Sequence, residues 1–149
     1  MGELVIRPMV SADIPAVVAI EEEAFTTPWR FDTFRSLLSR AEVELAVAES
    51  PGVGLAAYAV LWCIGDHGEL ANIAVRHDLR GDGLGAALLD YVVERAAQRG
   101  VERLFLEVRV SNKRAAGMYQ RRGFEEIGRR RGYYDLPKED ALVLVKRLP

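Results

Sequence analysis

The sequence predicts an α/β fold: a mixed, mostly antiparallel central sheet with one parallel strand pair and helices on both faces. Three observations carry this. In the first half, apolar-rich strand segments follow one another through tight turns, the pattern of antiparallel neighbours. In the second half, helices stand between strands, and a helical crossover joins parallel strands. Between the halves lies "RGDGLGAALL", residues 80–89, where three glycines run straight into an apolar helix.

The elements follow in order. "ELVIRPM" alternates and stops at Pro8, a first strand. "SADIPAVVAIEEEAF" is a helix capped by Ser11 or Asp13, with Pro15 in its first turn and Ile14, Val17, Val18 and Phe25 on its apolar face. "TTPWR" interrupts it, because the residue before Pro28 is pushed out of helical space. "FDTFRSLLSR" is a shorter helix. "VELAVAES" and "GLAAYAVLWCIG", joined by a Pro-Gly turn, form a hairpin, and "ELANIAVRH" is a further strand. "AALLDYVVERAAQRG" is a strong helix ending at Gly100. "VERLFLEVRV" reads as a strand covered on both faces. "SNKRAAGMYQRRG" is a short helix capped by Ser111 or Asn112, and "FEEIGRRRGYYDL" and "DALVLVKRL" are two last strands.

With 149 residues, half of them hydrophobic and 28% charged, the chain fits a single globular domain spanning 1–149. A net charge of −2 leaves no basic surplus to track a phosphate polymer, so direct nucleic-acid binding is not expected. The lone Cys63 in an apolar run points to a reducing compartment and an inert core thiol. "MGELVIRPMV" is not a signal peptide, and no apolar run is long enough for a membrane span, so a cytoplasmic protein is expected. His67 and His77 lack metal-ligand spacing, and no metal is expected. "EEE" at 21–23 and "RRR" at 129–131 read as solvated faces, the triple acid alternatively receiving a basic peptide.

Strand, glycines and helix start together make an anion cradle. The first amides of a helix lack internal partners, and glycine lets a pyrophosphate reach them without meeting a Cβ. A tight turn that binds nothing is the competing reading. Gly81-x-Gly83-x-x-Ala86 satisfies the loose nicotinamide-dinucleotide fingerprint. However, that fingerprint belongs early in a mostly parallel fold, whereas these glycines follow an antiparallel meander. One loop beside one parallel pair suits a carrier with one pyrophosphate and a long arm, such as coenzyme A.

Arg80-x-x-Gly83-x-Gly85 resembles the acyl-CoA loop of the GNAT superfamily of N-acetyltransferases, and the element order is similar throughout. "NIAV", "GLGAALL", "RGVERLFLEVRVSN", "MYQRRGF", "RRRGYY" and "AFTTPW" look like the ribosomal-protein-alanine N-acetyltransferase (RimI) type, from about Leu4 to Leu148. The resemblance implies transfer of acetyl from acetyl-CoA to a protein N-terminal α-amine. It implies Glu107 as general base and Tyr119 as the acid that protonates the departing thiolate. It implies acetyl-CoA contacts from Ile73, Ala74 and Val75, from the loop Arg80, Gly81, Asp82, Gly83, Leu84, Gly85 and Ala86, and from Asn112. Pro28 and Trp29, with Tyr133 and Tyr134 opposite, are expected to grip the acceptor peptide. Read without the resemblance, Glu107 is equally a solvated or Arg-paired carboxylate, Tyr119 a core tyrosine, Asn112 a helix cap and Trp29 a core plug. A small-amine acetyltransferase, a non-catalytic CoA-binding module and a nicotinamide oxidoreductase are the alternatives.

Overall fold

The structure, a computed structural model, describes residues 4–81 and 83–149. Among the described residues seven strands and four α-helices follow the expected order: β1 (Val5–Pro8), α1 (Ile14–Ala24), α2 (Phe31–Leu38), β2 (Val43–Ser50), β3 (Gly54–Ile64), β4 (His67–Val75), α3 (Leu84–Gln98), β5 (Arg103–Arg109), α4 (Lys113–Arg121), β6 (Glu125–Tyr134) and β7 (Glu139–Arg147). They form one sheet in the order β1-β2-β3-β4-β5-β7-β6, antiparallel except for β4 beside β5. The helical crossover between those two strands is α3.

α3 shows why its sequence makes a helix. Leu88, Leu89, Val92 and Ala96 recur at helical spacing and are buried against the sheet. Gly100 adopts φ 86° just past its end, and the Gly100 and Val101 amides bond back to Ala97 and Ala96 at 3.0 Å each. Those two bonds satisfy carbonyls that the last turn would otherwise leave open.

Two cores flank the sheet. α3 and α4 cover one face over residues such as Leu104, Leu106 and Leu144. α1 and α2 cover the other, packing Ile14, Val17 and Phe34 onto Val47, Tyr58 and Val60. The second pair of helices packs mainly on β2, β3 and β4. β5 is therefore not covered on both faces as its composition suggests: Leu104, Leu106 and Val108 are buried, while Phe105, Glu107 and Arg109 are half-buried on the side without a helix.

Two irregularities in β4 shape the centre of the sheet. Asn72 pairs with Val60 but Leu70 with Leu61, so Ala71 is an extra residue, a bulge. The parallel ladder to β5 runs from His67–Arg103 only to Leu70–Leu106. Past that point the two strands part.

Candidate active site

The parting strands leave a cavity of about 460 Å³. Ala71, Asn72 and Ile73 of β4 line one wall, and Leu106, Glu107 and Val108 of β5 the other. Asn112 and Tyr119 close it from α4, Trp29 from the segment between α1 and α2, and Tyr133 and Tyr134 from the end of β6. Seven of the residues expected at a site thus converge: Glu107, Tyr119, Asn112, Ile73, Trp29, Tyr133 and Tyr134. Ala74, Val75 and the glycine loop lie outside this cavity, and Pro28 is half-buried without lining it.

Glu107 points onto the helix-free face with 17% of its side chain exposed. Arg130 Nε lies against Oε2 as an ion pair, yet Oε2 is buried and receives no directed hydrogen bond. It is an open acceptor beside a cation that is itself 61% exposed. Arg130 of the "RRR" segment thus ion-pairs at the cavity: the register shift between Glu126 and Gly128 puts it on the Glu107 face of the sheet, which no local pattern reveals.

Tyr119 is 5% exposed and packs edge-on to Phe124. Burial, and secondarily the neighbouring Tyr134, raise its pKa above the ordinary phenol value, so it keeps its proton at neutral pH. Tyr134 is pushed up to about 12, by burial first and then by the Glu107 charge. Asn112 caps α4, its Oδ1 accepting the Ala115 amide at 3.2 Å, as the residue-only reading expects.

The glycine loop earns its composition twice. Gly81 and Gly83 have φ of 92° and 80°, which side-chain-bearing residues rarely adopt. Gly85 faces Val75 and Met118, where an added Cβ would sit 3.5 Å from the valine. Gly83 caps α3 without any side-chain bond, and the first internal bond of the helix is from the Ala87 amide to the Gly83 carbonyl at 3.0 Å. The amides of Leu84, Gly85 and Ala86 therefore precede the helix's own ladder. Arg114 reaches the loop from α4, its Nη2 3.2 Å from where a Gly81 Cβ would stand. Arg80 turns back to the Val75 carbonyl at 3.3 Å. These groups suit a pyrophosphate. Asp82 lies outside the described residues.

Glu21 was expected on a solvated face and is instead 1% exposed, on the floor of the cavity. Its Oε1 accepts from the Tyr58 hydroxyl and from Asn72 Nδ2 at 2.8 Å, and its Oε2 from the Trp29 amide at 2.8 Å. One carboxylate thereby ties the α1–α2 segment to β3 and to the bulge in β4. Burial raises its pKa, and the three donors oppose that rise. A signal was present: Ile14, Val17 and Glu21 share the apolar stripe at i, i+3 and i+7.

Comparison with known proteins gives this chain a family. The model of the acetyltransferase (GNAT) family matches residues 14–124. A ribosomal protein bS18-alanine N-acetyltransferase of Escherichia coli (strain K12) is 37% identical over 141 residues, covering 93% of this chain and 94% of that protein. The enzyme of that name from Salmonella typhimurium (strain LT2) is 36% identical, covering 90% of each chain. The crystal structure of the Escherichia coli ribosomal-protein-S18-alanine N-acetyltransferase superposes with a TM-score of 0.89 at 35% identity, covering 97% of this chain and 94% of that one. The chain is thus an N-acetyltransferase, and it belongs to the acetyltransferase (GNAT) family.

Proposed function

We propose that the chain moves acetyl from acetyl-CoA to the N-terminal α-amine of a protein, a ribosomal protein beginning with alanine, in the cytoplasm. The observation that carries this is Glu107 and Tyr119 on one cavity, the first with an open acceptor and the second holding its proton. The names of the relatives supply the acceptor class.

Acetyl-CoA, when bound, supplies an activated thioester. The free amides at the start of α3, with Arg114 beside them, would hold its pyrophosphate. Asn112 and the β4 segment Ile73 to Val75 would line its arm, whose far end reaches the cavity. Glu107 takes a proton from the incoming ammonium, directly or through one water, and frees the nitrogen lone pair. The C–N bond forms as the C–S bond breaks, Tyr119 gives its proton to the departing sulfur, and the second proton of the now positive nitrogen passes through water to the phenolate, so that amide and thiol leave and the proton on Glu107 is released to solvent. A backbone amide of the β4 edge donates to the carbonyl oxygen as charge develops there. Arg130 must move off Glu107 for the ammonium to take its place, and its exposure permits that.

A single carboxylate suits an α-amine. Freeing a proton at pH 7 costs about 1 kcal/mol from an α-ammonium with pKa about 7.7–8.0, and roughly 4.6 from lysine near 10.4. The acceptor segment would lie between Trp29 and the pair Tyr133 and Tyr134, rigid aromatic surfaces that grip an extended chain at low entropic cost. Pro28 sets the turn that presents Trp29. Turnover on a peptide starting with alanine, against polyamines and single amino-acid amides, tests the proposal. Peptide turnover far above the small amines supports it, and equal rates replace it with a small-amine enzyme.

A further inference from the structure

Arg109 ends β5 two residues beyond Glu107, and its guanidinium gathers the whole turn between β6 and β7. Nη1 donates to the Pro137 carbonyl at 2.9 Å and to Glu139 Oε1 at 3.1 Å. Nη2 donates to the Asp135 carbonyl at 2.9 Å. Its carbon lies 4.5 Å from the centre of the Tyr134 ring. The other oxygen of Glu139 accepts the Ser111 amide at 2.6 Å. Ser111 precedes Asn112, the cap of the helix that carries Tyr119. Hydrogen bonds from Ser111, and then the Arg109 guanidinium, hold the Glu139 carboxyl below the ordinary glutamate range.

Exposed turn carbonyls need no such partner, since water satisfies them without immobilising a long side chain. What the arrangement adds is a fixed relation between two ends of the cavity. One end is the start of α4, on the acyl-carrier side. The other is the aromatic turn, on the acceptor side.

We propose that Arg109 and Glu139 form a positioning unit that couples the two substrate sites: a carrier that sets the start of α4 also sets the aromatic turn, so each substrate binds more tightly beside the other. This rests on the assignment above of acetyl-CoA to the α4 side and the acceptor to the turn. Neither role requires chemistry from the pair. Coupling between binding sites is reciprocal, so it is measurable from either substrate.

The test uses the full chain, an alanine-initiated peptide and CoA, which carries no acetyl group to transfer. Calorimetry gives the peptide Kd with and without saturating CoA, and the ratio is the coupling. The expected ratio in the unaltered protein is at least about 5-fold, the lower end of ordinary coupling. Glu139→Ala should bring it close to 1 while the CoA Kd alone is kept. Glu139→Gln, which keeps the shape but only one acceptor oxygen and so only one of the two hydrogen bonds, should fall between and guards against a folding defect in the first variant. Arg109→Lys cannot span two carbonyls and a ring, so it should raise the KM for peptide with kcat at saturating peptide largely kept. Wild-type coupling in Glu139→Ala, or peptide affinity lost equally with and without CoA, overturns the proposal. Failure of the unaltered protein to bind CoA at all overturns the assignment beneath it, and the coupling with it.

Discussion

The floor and the flank of the cavity hold one carboxylate each and treat it in opposite ways. On the floor, Glu21 is sealed from water, with both oxygens engaged by three donors from three different elements. On the flank, Glu107 keeps a buried oxygen without a hydrogen bond, and its partner is a guanidinium largely in solvent. A carboxylate whose acceptor capacity is used by the fold holds the fold together. A carboxylate left with an open acceptor can accept a proton. Glu21 therefore belongs to the architecture of the cavity, and Glu107 is the one we propose for its chemistry, although they share it.

The largest effect should come from the flank. Glu107→Gln keeps the shape and removes the base, so kcat should fall by about 10²–10⁴-fold. Acetyl-CoA binding and the melting temperature should largely hold, because the ion pair lost with the charge is to a largely exposed Arg130. Tyr119→Phe should also lower kcat by removing the proton for the thiolate. Steady-state kinetics beside a thermal melt checks both. Normal turnover in Glu107→Gln would collapse the distinction between floor and flank.

The floor should answer in stability. Glu21→Ala leaves the Trp29 amide, the Asn72 amide group and the Tyr58 hydroxyl unpaired in a buried place. One orphaned donor costs about 1–3 kcal/mol, and partial relaxation brings the total to about 3 kcal/mol. Urea denaturation measures it. A small loss of stability with a kcat loss matching that of Glu107→Gln would make Glu21 a second catalytic carboxylate.

The same contrast between engaged and open groups separates the starts of two helices. α4 is capped by Asn112, while α3 starts on Gly83 with its first amides outside the helix ladder. Gly83 also sits at φ 80°, so Gly83→Val confounds lost space with backbone strain. Asparagine tolerates that conformation. Gly83→Asn should weaken acetyl-CoA binding about tenfold or more, a loss of about 1.4 kcal/mol, with the melting temperature kept. Unchanged affinity would mean that the glycines serve the turn and the helix packing alone.

How much of this was legible in the sequence divides along the same line. The order of elements, the parallel pair, the α4 cap and the end of α3 at Gly100 follow from local periodicity and capping chemistry, and all were readable. Glu21 was misread because three glutamates in a row suggest a solvated face, although its spacing from Ile14 and Val17 put it on the buried stripe. Arg130 depends on a register shift in β6, and the Arg109–Glu139 contact joins residues thirty positions apart; nothing local encodes either. The half-open face of β5 depends on how far α1 and α2 reach across the sheet, which the composition of β5 does not report.

The smallest effect is the sharpest test of the floor, because its sign is fixed. The folded state raises the pKa of Glu21 above the ordinary 4.5, through burial. Between 4.5 and the folded value, the folded protein binds more protons at this residue than the unfolded chain does. Stability from this residue is therefore full below about pH 4.5 and declines as pH rises through the folded pKa, by at most about 1.4 kcal/mol per pH unit. Asp13 and Glu139 shift the other way, held low by hydrogen-bonded partners, and lose stability as pH falls. They would mask Glu21 in the unaltered protein alone. Subtracting the profile of Glu21→Gln removes them, since both carboxyls titrate identically in the two proteins. The glutamine also places an amide nitrogen before the Trp29 amide, but that cost does not vary with pH and drops out of the slope. The difference should fall with rising pH above 4.5 and then level off. A flat difference would mean that the three donors match burial, and a rising one that they outweigh it. The floor would then favour the ionised carboxyl at least as well as water does, and the division of labour between the two carboxylates would have to be redrawn.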